Sequence, residues 1–530
     1  MSDHSLFTRY ATRFPALYTP QSGRQRLARI MLMLLLIISL AWMMTQLSPE
    51  IRFATGDSLP FSTALLLFGS FLLALGFIFI NGMHDTANAV TTVIYTGTLS
   101  PARAVLISAV ANMLGVLLAS GVVAWSVMSL LPPEGLMTLD SRHGYALAYA
   151  LLLSAIGWNF ASWYMAIPSS SSHALLGAML GVGCASSLLN EGEVLSGIDW
   201  HQAARAGWAL LLSPLLGFLA AGLLLRLMTA LLPASRTPGT RPPRWLRGML
   251  MLTSSGVSFA HGANDGQKGM GLIMVILLIA LPGAFALNRT LPESELASLT
   301  RLTAQTQAQL PSQALLTPAE AQTTLERYQQ RREKHRDETL AALGVMAGAL
   351  HQQLSTPTQL NALTPDERIA LRLRMSLTAS TVRQLLQEKA SLPPGQRALL
   401  SELTTQLNHA GKMIPWWVKV VTALTLALGT LTGWQRIAIT IGERTGKAPL
   451  SPMQGASSEL VTMTTLGIAE PFGLPISTTQ VLTCGVAGSM TANRSPLHSA
   501  TLKRMGLVWL LTLPVCALLS ALLYALLLAL

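Results

Sequence analysis

Asn81-Gly-Met-His-Asp-Thr-Ala-Asn88 interrupts an apolar run from about Phe61 to about Thr96. No other stretch constrains the fold as much. An ionised Asp at the middle of a bilayer costs roughly 2.5–3.5 kcal/mol on insertion scales, so such residues are rare and functional. The same form returns as Ser258-Phe-Ala-His-Gly-Ala-Asn-Asp-Gly-Gln-Lys-Gly269, inside an apolar run from about Met249 to about Leu287. Two polar knots in one membrane chain predict an internal repeat around a central site, the sequence pattern of a secondary transporter.

The membrane reading rests on composition. The 530 residues are 51% hydrophobic and 11% charged, and several apolar runs reach the roughly 18 residues that favour a transmembrane helix. A net charge of +12 raises nucleic acid as a partner. The positions exclude it: Arg and Lys gather at the ends of apolar runs, where the positive-inside rule places them. Cys184, Cys484 and Cys516 lie in apolar stretches without metal-ligand spacing, so they read as small buried hydrophobes. No cofactor and no permanent metal ligand is implied. A membrane-embedded hydrolase is the main rival class; it needs a metal pair or a nucleophile with a base, and the chain has neither HExxH nor GxSxG.

Charge and hydropathy then give the order of segments. Residues 1–60 hold an arginine-rich N-terminus, placed in the cytoplasm, and an extra transmembrane helix. Residues 61–230 form a first transport repeat, and the basic loop 231–248 is cytoplasmic. Residues 249–287 open a second repeat and 415–530 complete it, leaving the C-terminus in the periplasm. Between them, residues 288–414 carry 14 of the 36 Lys and Arg and 11 of the 24 acidic residues. Thr317-Pro-Ala-Glu and Thr364-Pro-Asp-Glu are helix starts within this stretch. It reads as a soluble helical insert, placed in the periplasm, with its role open; it is free to steady a homodimer.

Without the insert the halves match. Each has a knotted helix, a plain helix, a Pro-Ser/Thr hairpin and a closing helix. Asp85 to Pro168 spans 83 positions and Asp265 to Pro475 spans 210; the difference, 127, is the length of the insert. The charge bias orients the halves oppositely. The expected fold is therefore an all-α polytopic membrane protein, an inverted-repeat secondary transporter with broken helices and two Pro-Ser/Thr hairpins, either re-entrant or fully crossing.

The hairpin sequences are Pro168-Ser-Ser-Ser-Ser172-His173 and Pro475-Ile-Ser-Thr-Thr479-Gln480. Proline before hydroxyl residues favours a helix start, so Ser169, Ser170, Ser171 and Ser172, and Ser477, Thr478 and Thr479, are expected to open half-helices. Asp85 and Asp265 are expected to cap the second halves of broken knotted helices. Four helix N-termini would then face one anion site, with Asn81, Asn88, Asn264 and Lys268 as further donors. The two carboxylates suit a cation beside the anion: a proton, sodium or a divalent metal. His84, His173 and Glu470 are candidates for proton handling, as is Glu459. His261 reads as structural.

These motifs resemble the inorganic phosphate transporter (PiT) family, from about residue 62 to the C-terminus. Asn81-Gly-Met-His-Asp-Thr-Ala-Asn-Ala-Val-Thr-Thr-Val-Ile-Tyr95 and His261-Gly-Ala-Asn-Asp-Gly-Gln-Lys-Gly-Met-Gly271 look most like its bacterial low-affinity members. The resemblance implies phosphate uptake across the bacterial cytoplasmic (inner) membrane by proton symport, often as a neutral phosphate complex of a metal such as magnesium; other members use sodium. His84 stands where many members carry Asn, and Lys268 where symmetry with Asn88 predicts Asn. Both departures weaken a sodium site built from those amides and favour protons. A sodium-coupled phosphate symporter is the first alternative, followed by a transporter of another oxyanion (sulfate) or an anion channel.

Overall fold

The computed structural model describes residues 23–190, 197–232, 242–310, 316–331, 336–355, 363–387 and 392–530. Residues 1–22 of the arginine-rich N-terminus, the acidic residues Glu191 and Glu193, and residues 233–241 of the basic loop lie outside these. The described residues are helical, with no strand beyond one isolated bridge between Gly446 and Leu497.

α1 (Gly23–Thr55) is the extra helix. α2 (Phe61–Tyr95) carries the first knot, followed by α3 (Pro101–Leu118), α4 (Val122–Met128) and α5 (Pro133–Thr138). α6 (Ser141–Tyr164) and α7 (Ser171–Asn190) flank the first hairpin, and α8 (Trp200–Leu231) closes the half. α9 (Arg244–Ala280) carries the second knot and leads into α10 (Pro282–Phe285). The insert contains α11 (Glu293–Gln309), α12 (Pro318–Arg331), α13 (Arg336–Ser355), α14 (Pro365–Gln387) and α15 (Pro394–Ala410). α16 (Trp416–Thr430), α17 (Gln435–Glu443), α18 (Pro452–Ala469), α19 (Thr478–Ala492) and α20 (Ser499–Ala529) complete the chain. Seven of these helices are long and apolar enough to cross a bilayer, and α16 with α17 makes an eighth if the bent pair is one span. This is a multi-pass membrane protein.

The two halves exchange partners. α2 packs on α16, and α9 on α3; α8 packs on α19, and α20 on α7. Glycine makes these crossings close. A Cβ at Gly181 would stand 1.9 Å from the Ala517 carbonyl oxygen, and one at Gly488 would stand 2.0 Å from that of Phe218. Small residues of this kind let membrane helices approach backbone to backbone. Gly181→Ala is therefore expected to destabilise the protein by about 1–3 kcal/mol, the cost of overpacking a tight contact. The thermal midpoint in detergent reads it, with Gly157→Ala, which meets nothing within 4 Å, as the silent control.

The knots do not break their helices, contrary to the sequence expectation. α2 and α9 run through them without interruption, and Asp85 and Asp265 sit mid-helix instead of at N-caps. Neither knot contains proline. The Thr86 hydroxyl donates back to the Gly82 carbonyl at 2.5 Å, and other polar side chains find hydrogen-bond partners distant in sequence. The breaks fall in the plain helices instead. Gly121 separates α3 from α4 with φ 92°, and Gly433 lies between α16 and α17 with φ 70°. The second pair bends by 60°. Glycine enters this left-handed region with no Cβ penalty. Each break is held from the other half: at the first, Lys419 Nζ donates to the Ala119 carbonyl at 2.8 Å and Gln267 Oε1 accepts from the Val123 N–H at 2.9 Å, and at the second, Trp163 Nε1 donates to the Gly433 carbonyl at 2.9 Å.

The insert has a core of its own, including Leu325, Leu343, Met346, Val382 and Leu400. Polar contacts tie it to the membrane helices. Arg372 pairs with Glu134 at 3.7 Å, and the Arg368 guanidinium lies 3.9 Å over the Phe53 ring.

Candidate functional site

The hairpins open helices as the sequence implies. Ser477 caps α19, accepting from the Gln480 N–H at 3.3 Å. Ser170 does the same for the His173 N–H at 3.2 Å. Two helix N-termini, not four, therefore reach the knots, because the knotted helices contribute none.

Asp85 is buried between the hairpins. Its Oδ1 accepts from Asn88 Nδ2 at 3.1 Å and from the Thr479 hydroxyl, which also accepts from Asn88 at 3.0 Å. Its Oδ2 accepts from Ser171 Oγ at 3.4 Å. His84 Nε2 accepts from the Ser169 N–H at 3.1 Å, so a neutral ring carries its proton on Nδ1. The Ser169 and Ser162 hydroxyls meet at 2.6 Å.

Asp265 lies at the second knot with a resident cation. Lys268 Nζ donates to Asp265 Oδ1 at 2.6 Å, to Ser172 Oγ at 2.5 Å and to the Ile476 carbonyl at 2.8 Å. The ammonium is wholly buried and links one knot to both hairpins. Ser172 Oγ donates to the same Ile476 carbonyl at 2.9 Å. Asn264 Nδ2 donates to the Leu474 carbonyl at 3.0 Å.

His261, read from the sequence as structural, belongs to the centre. Its Nδ1 lies 3.3 Å from Thr478 Oγ1 and 3.6 Å from Asp265 Oδ2. Ligand atoms of Asp85, His261 and Asp265 all fall within 4.8 Å of one another. His261 Nε2, Asp265 Oδ2 and the Oδ1 atoms of Asn81, Asn88 and Asn264 are buried without a hydrogen-bond partner. Buried polar atoms are normally satisfied; five orphans in the knots mark a place for a ligand. One nitrogen among oxygens, and no thiol, suits a proton or a hard cation.

Asn81, one of these five, is buried one turn before Asp85. Other candidates fall elsewhere. His173 Nδ1 meets Ser170 Oγ at 2.8 Å. Glu470 serves the α3–α4 break, accepting from Ser120 Oγ at 2.5 Å and Gln267 Nε2 at 2.8 Å. Glu459 is fully buried, accepting from the Thr92 hydroxyl and from Thr253 Oγ1 at 2.5 Å.

The family model described as "Phosphate transporter family" matches residues 81–520. The chain belongs to the phosphate transporter family. As a family member it is 34% identical over 500 residues to "Low-affinity inorganic phosphate transporter PitA" of Escherichia coli (strain K12), covering 87% of this chain and 96% of that one. To "Probable low-affinity inorganic phosphate transporter" of Bacillus subtilis (strain 168) it is 24% identical, covering 86% and 94%. A solved structure titled "The sodium-dependent phosphate transporter" superposes with a TM-score of 0.48 at 17% identity, covering 87% of this family member and 98% of that chain.

Proposed function

We propose that this protein imports inorganic phosphate across a bacterial cytoplasmic membrane by proton symport, with Asp85 as the proton-carrying group. Its N-terminus lies in the cytoplasm and its C-terminus in the periplasm, and the two halves are inverted repeats. Their reciprocal packing supports that reading.

One observation carries the choice of ion: Asp265 has a cation of its own in Lys268, at 2.6 Å, and Asp85 has none. Ionised, the three groups carry one net negative charge, which repels phosphate. A proton on Asp85 brings the sum to zero. Phosphate then meets Lys268 and hairpin hydroxyls and N–H groups of Ser169–Ser172 and Ser477–Thr479, where helix N-termini favour an anion. Loss of the proton restores the repulsion and expels the anion, so neither ligand travels well without the other. His84 fixes the first hairpin through Ser169, and a divalent metal such as magnesium is cargo carried on the phosphate itself.

Radiolabelled phosphate uptake into proteoliposomes tests this. An inward proton gradient is expected to drive accumulation without sodium, and magnesium to raise it. Accumulation that requires sodium would keep the substrate and overturn the coupling ion. Equilibration without accumulation would leave an anion channel.

A further inference from the structure

At the end of the molecule remote from the insert, a cavity of about 550 Å³ lies between the first hairpin and the strap joining α17 to α18. α16 and α17 lead the chain away from the insert to reach it. The volume falls in the roughly 300–1,000 Å³ range of small-molecule sites. Ala166 and Pro168 form one wall, and Arg444, Lys447, His498 and Arg504 stand on the others.

The cavity is lined by three cations, Arg444, Lys447 and Arg504, against a single carboxylate, Glu443. Among the described residues, the Lys447 and Arg504 side chains make no ion pair or hydrogen bond. Arg444 faces Glu443, whose carboxylate already accepts from the Tyr95 hydroxyl at 2.6 Å. A second feature points the same way. α20 begins at His498 with no side-chain cap, and its first intrahelical bond is made by the Leu502 N–H to the His498 carbonyl at 3.1 Å. The N–H groups of Ser499, Ala500 and Thr501 precede that bond and have no helical partner. Ala500 and Thr501 line the cavity. The strap is fixed over this end, with the Lys447 N–H donating to the Pro496 carbonyl at 2.8 Å and the His498 N–H to that of Thr445 at 3.1 Å.

We propose that this cavity is a second anion site, built for a phosphate group. Its oxygens would take charge-assisted bonds from the guanidinium groups of Arg444 and Arg504 and the uncapped N–H groups of α20. The site touches the transport machinery through the hairpin tip. Thr440 Oγ1 donates to the Ala166 carbonyl at 2.7 Å, and Trp509 Nε1 to that of Pro168 at 2.8 Å. An anion bridging Arg444 and Arg504 thus spans the two helices that hold the tip of the hairpin carrying Ser169–Ser172. The phosphate group comes either from free inorganic phosphate or from an anionic lipid headgroup.

The test uses the full chain in nanodiscs, with Thr501→Cys as a probe for a maleimide reagent and the unsubstituted chain giving the background of native cysteines. One arm adds inorganic phosphate to zwitterionic lipid; the other uses phosphatidylglycerol without phosphate. Protection in the first arm assigns free phosphate, and in the second a headgroup. Labelling is expected to slow about tenfold once most copies are occupied, and Arg444→Gln with Arg504→Gln is expected to abolish the effect. Labelling in both arms as fast as in zwitterionic lipid without phosphate, repeated with Ala500→Cys should the first probe fail to fold, overturns the proposal. So does protection that survives the double arginine variant, or that disappears with Asp85→Asn while the arginines are intact. Because labelling needs no transport, protection stands even if the proton-symport reading fails.

Discussion

Asp85→Asn is expected to bring concentrative phosphate uptake down to background, a loss of roughly 100-fold, near the top of the range of coupling free energies between two ligands. The fold should survive. The amide keeps the oxygen that accepts from Asn88 and Thr479, and the Ser171 hydroxyl, 3.4 Å from Oδ2, can turn to accept from the new NH₂. On the proposed mechanism, what is lost is the carrier of the proton. The local charge is then fixed, phosphate meets the same site on both sides, and the gradient has nothing to act on. Exchange of labelled for unlabelled phosphate across the membrane should persist while uphill uptake stops. The pair of assays therefore separates loss of coupling from loss of binding. Near-normal accumulation by this variant would remove Asp85 from the mechanism.

Much of this site was readable from residue types, because a carboxylate within an apolar run needs a reason that local structure cannot supply. The knots and the Pro-Ser/Thr starts are such cases. Helix continuity was not readable in the same way. A polar knot breaks a helix only if its side chains must turn to their own backbone, and here Asp85 finds Thr479 across 394 positions of sequence. The real breaks did leave a signal: Ser120-Gly121 and Thr432-Gly433 interrupt apolar runs with glycine. It was outweighed by the more conspicuous charges. His261 shows a different limit. Its place beside Asp85 and Asp265 follows from how α2 and α9 approach each other, and nothing in its own neighbourhood encodes that. Lys268 was legible as an anomaly, a cation where symmetry with Asn88 predicts an amide; the structure pairs it with Asp265 at 2.6 Å.

Lys268→Met is expected to be the most destabilising single change in the site, by about 3–5 kcal/mol, the cost of leaving one member of a buried ion pair alone. Asp265 Oδ2 already has no hydrogen-bond partner, and without the ammonium Oδ1 would lose its donor at 2.6 Å. Ser172 and the Ile476 carbonyl would lose their link to α9 as well. Adding Asp265→Leu should recover most of the stability, since a buried pair replaced by apolar groups is often neutral, and the double-mutant cycle isolates the coupling. Uptake should not recover, because the anion would have lost its buried cation. Lys268→Asn makes the argument sharper. It leaves Asp265 ionised beside an amide, a setting that admits a small hard cation, so sodium should raise the thermal midpoint of this variant and leave that of the parent chain unchanged. Equal stabilisation of both would mean that sodium binds beside an occupied Lys268, and proton coupling through Asp85 would no longer be needed to balance the site.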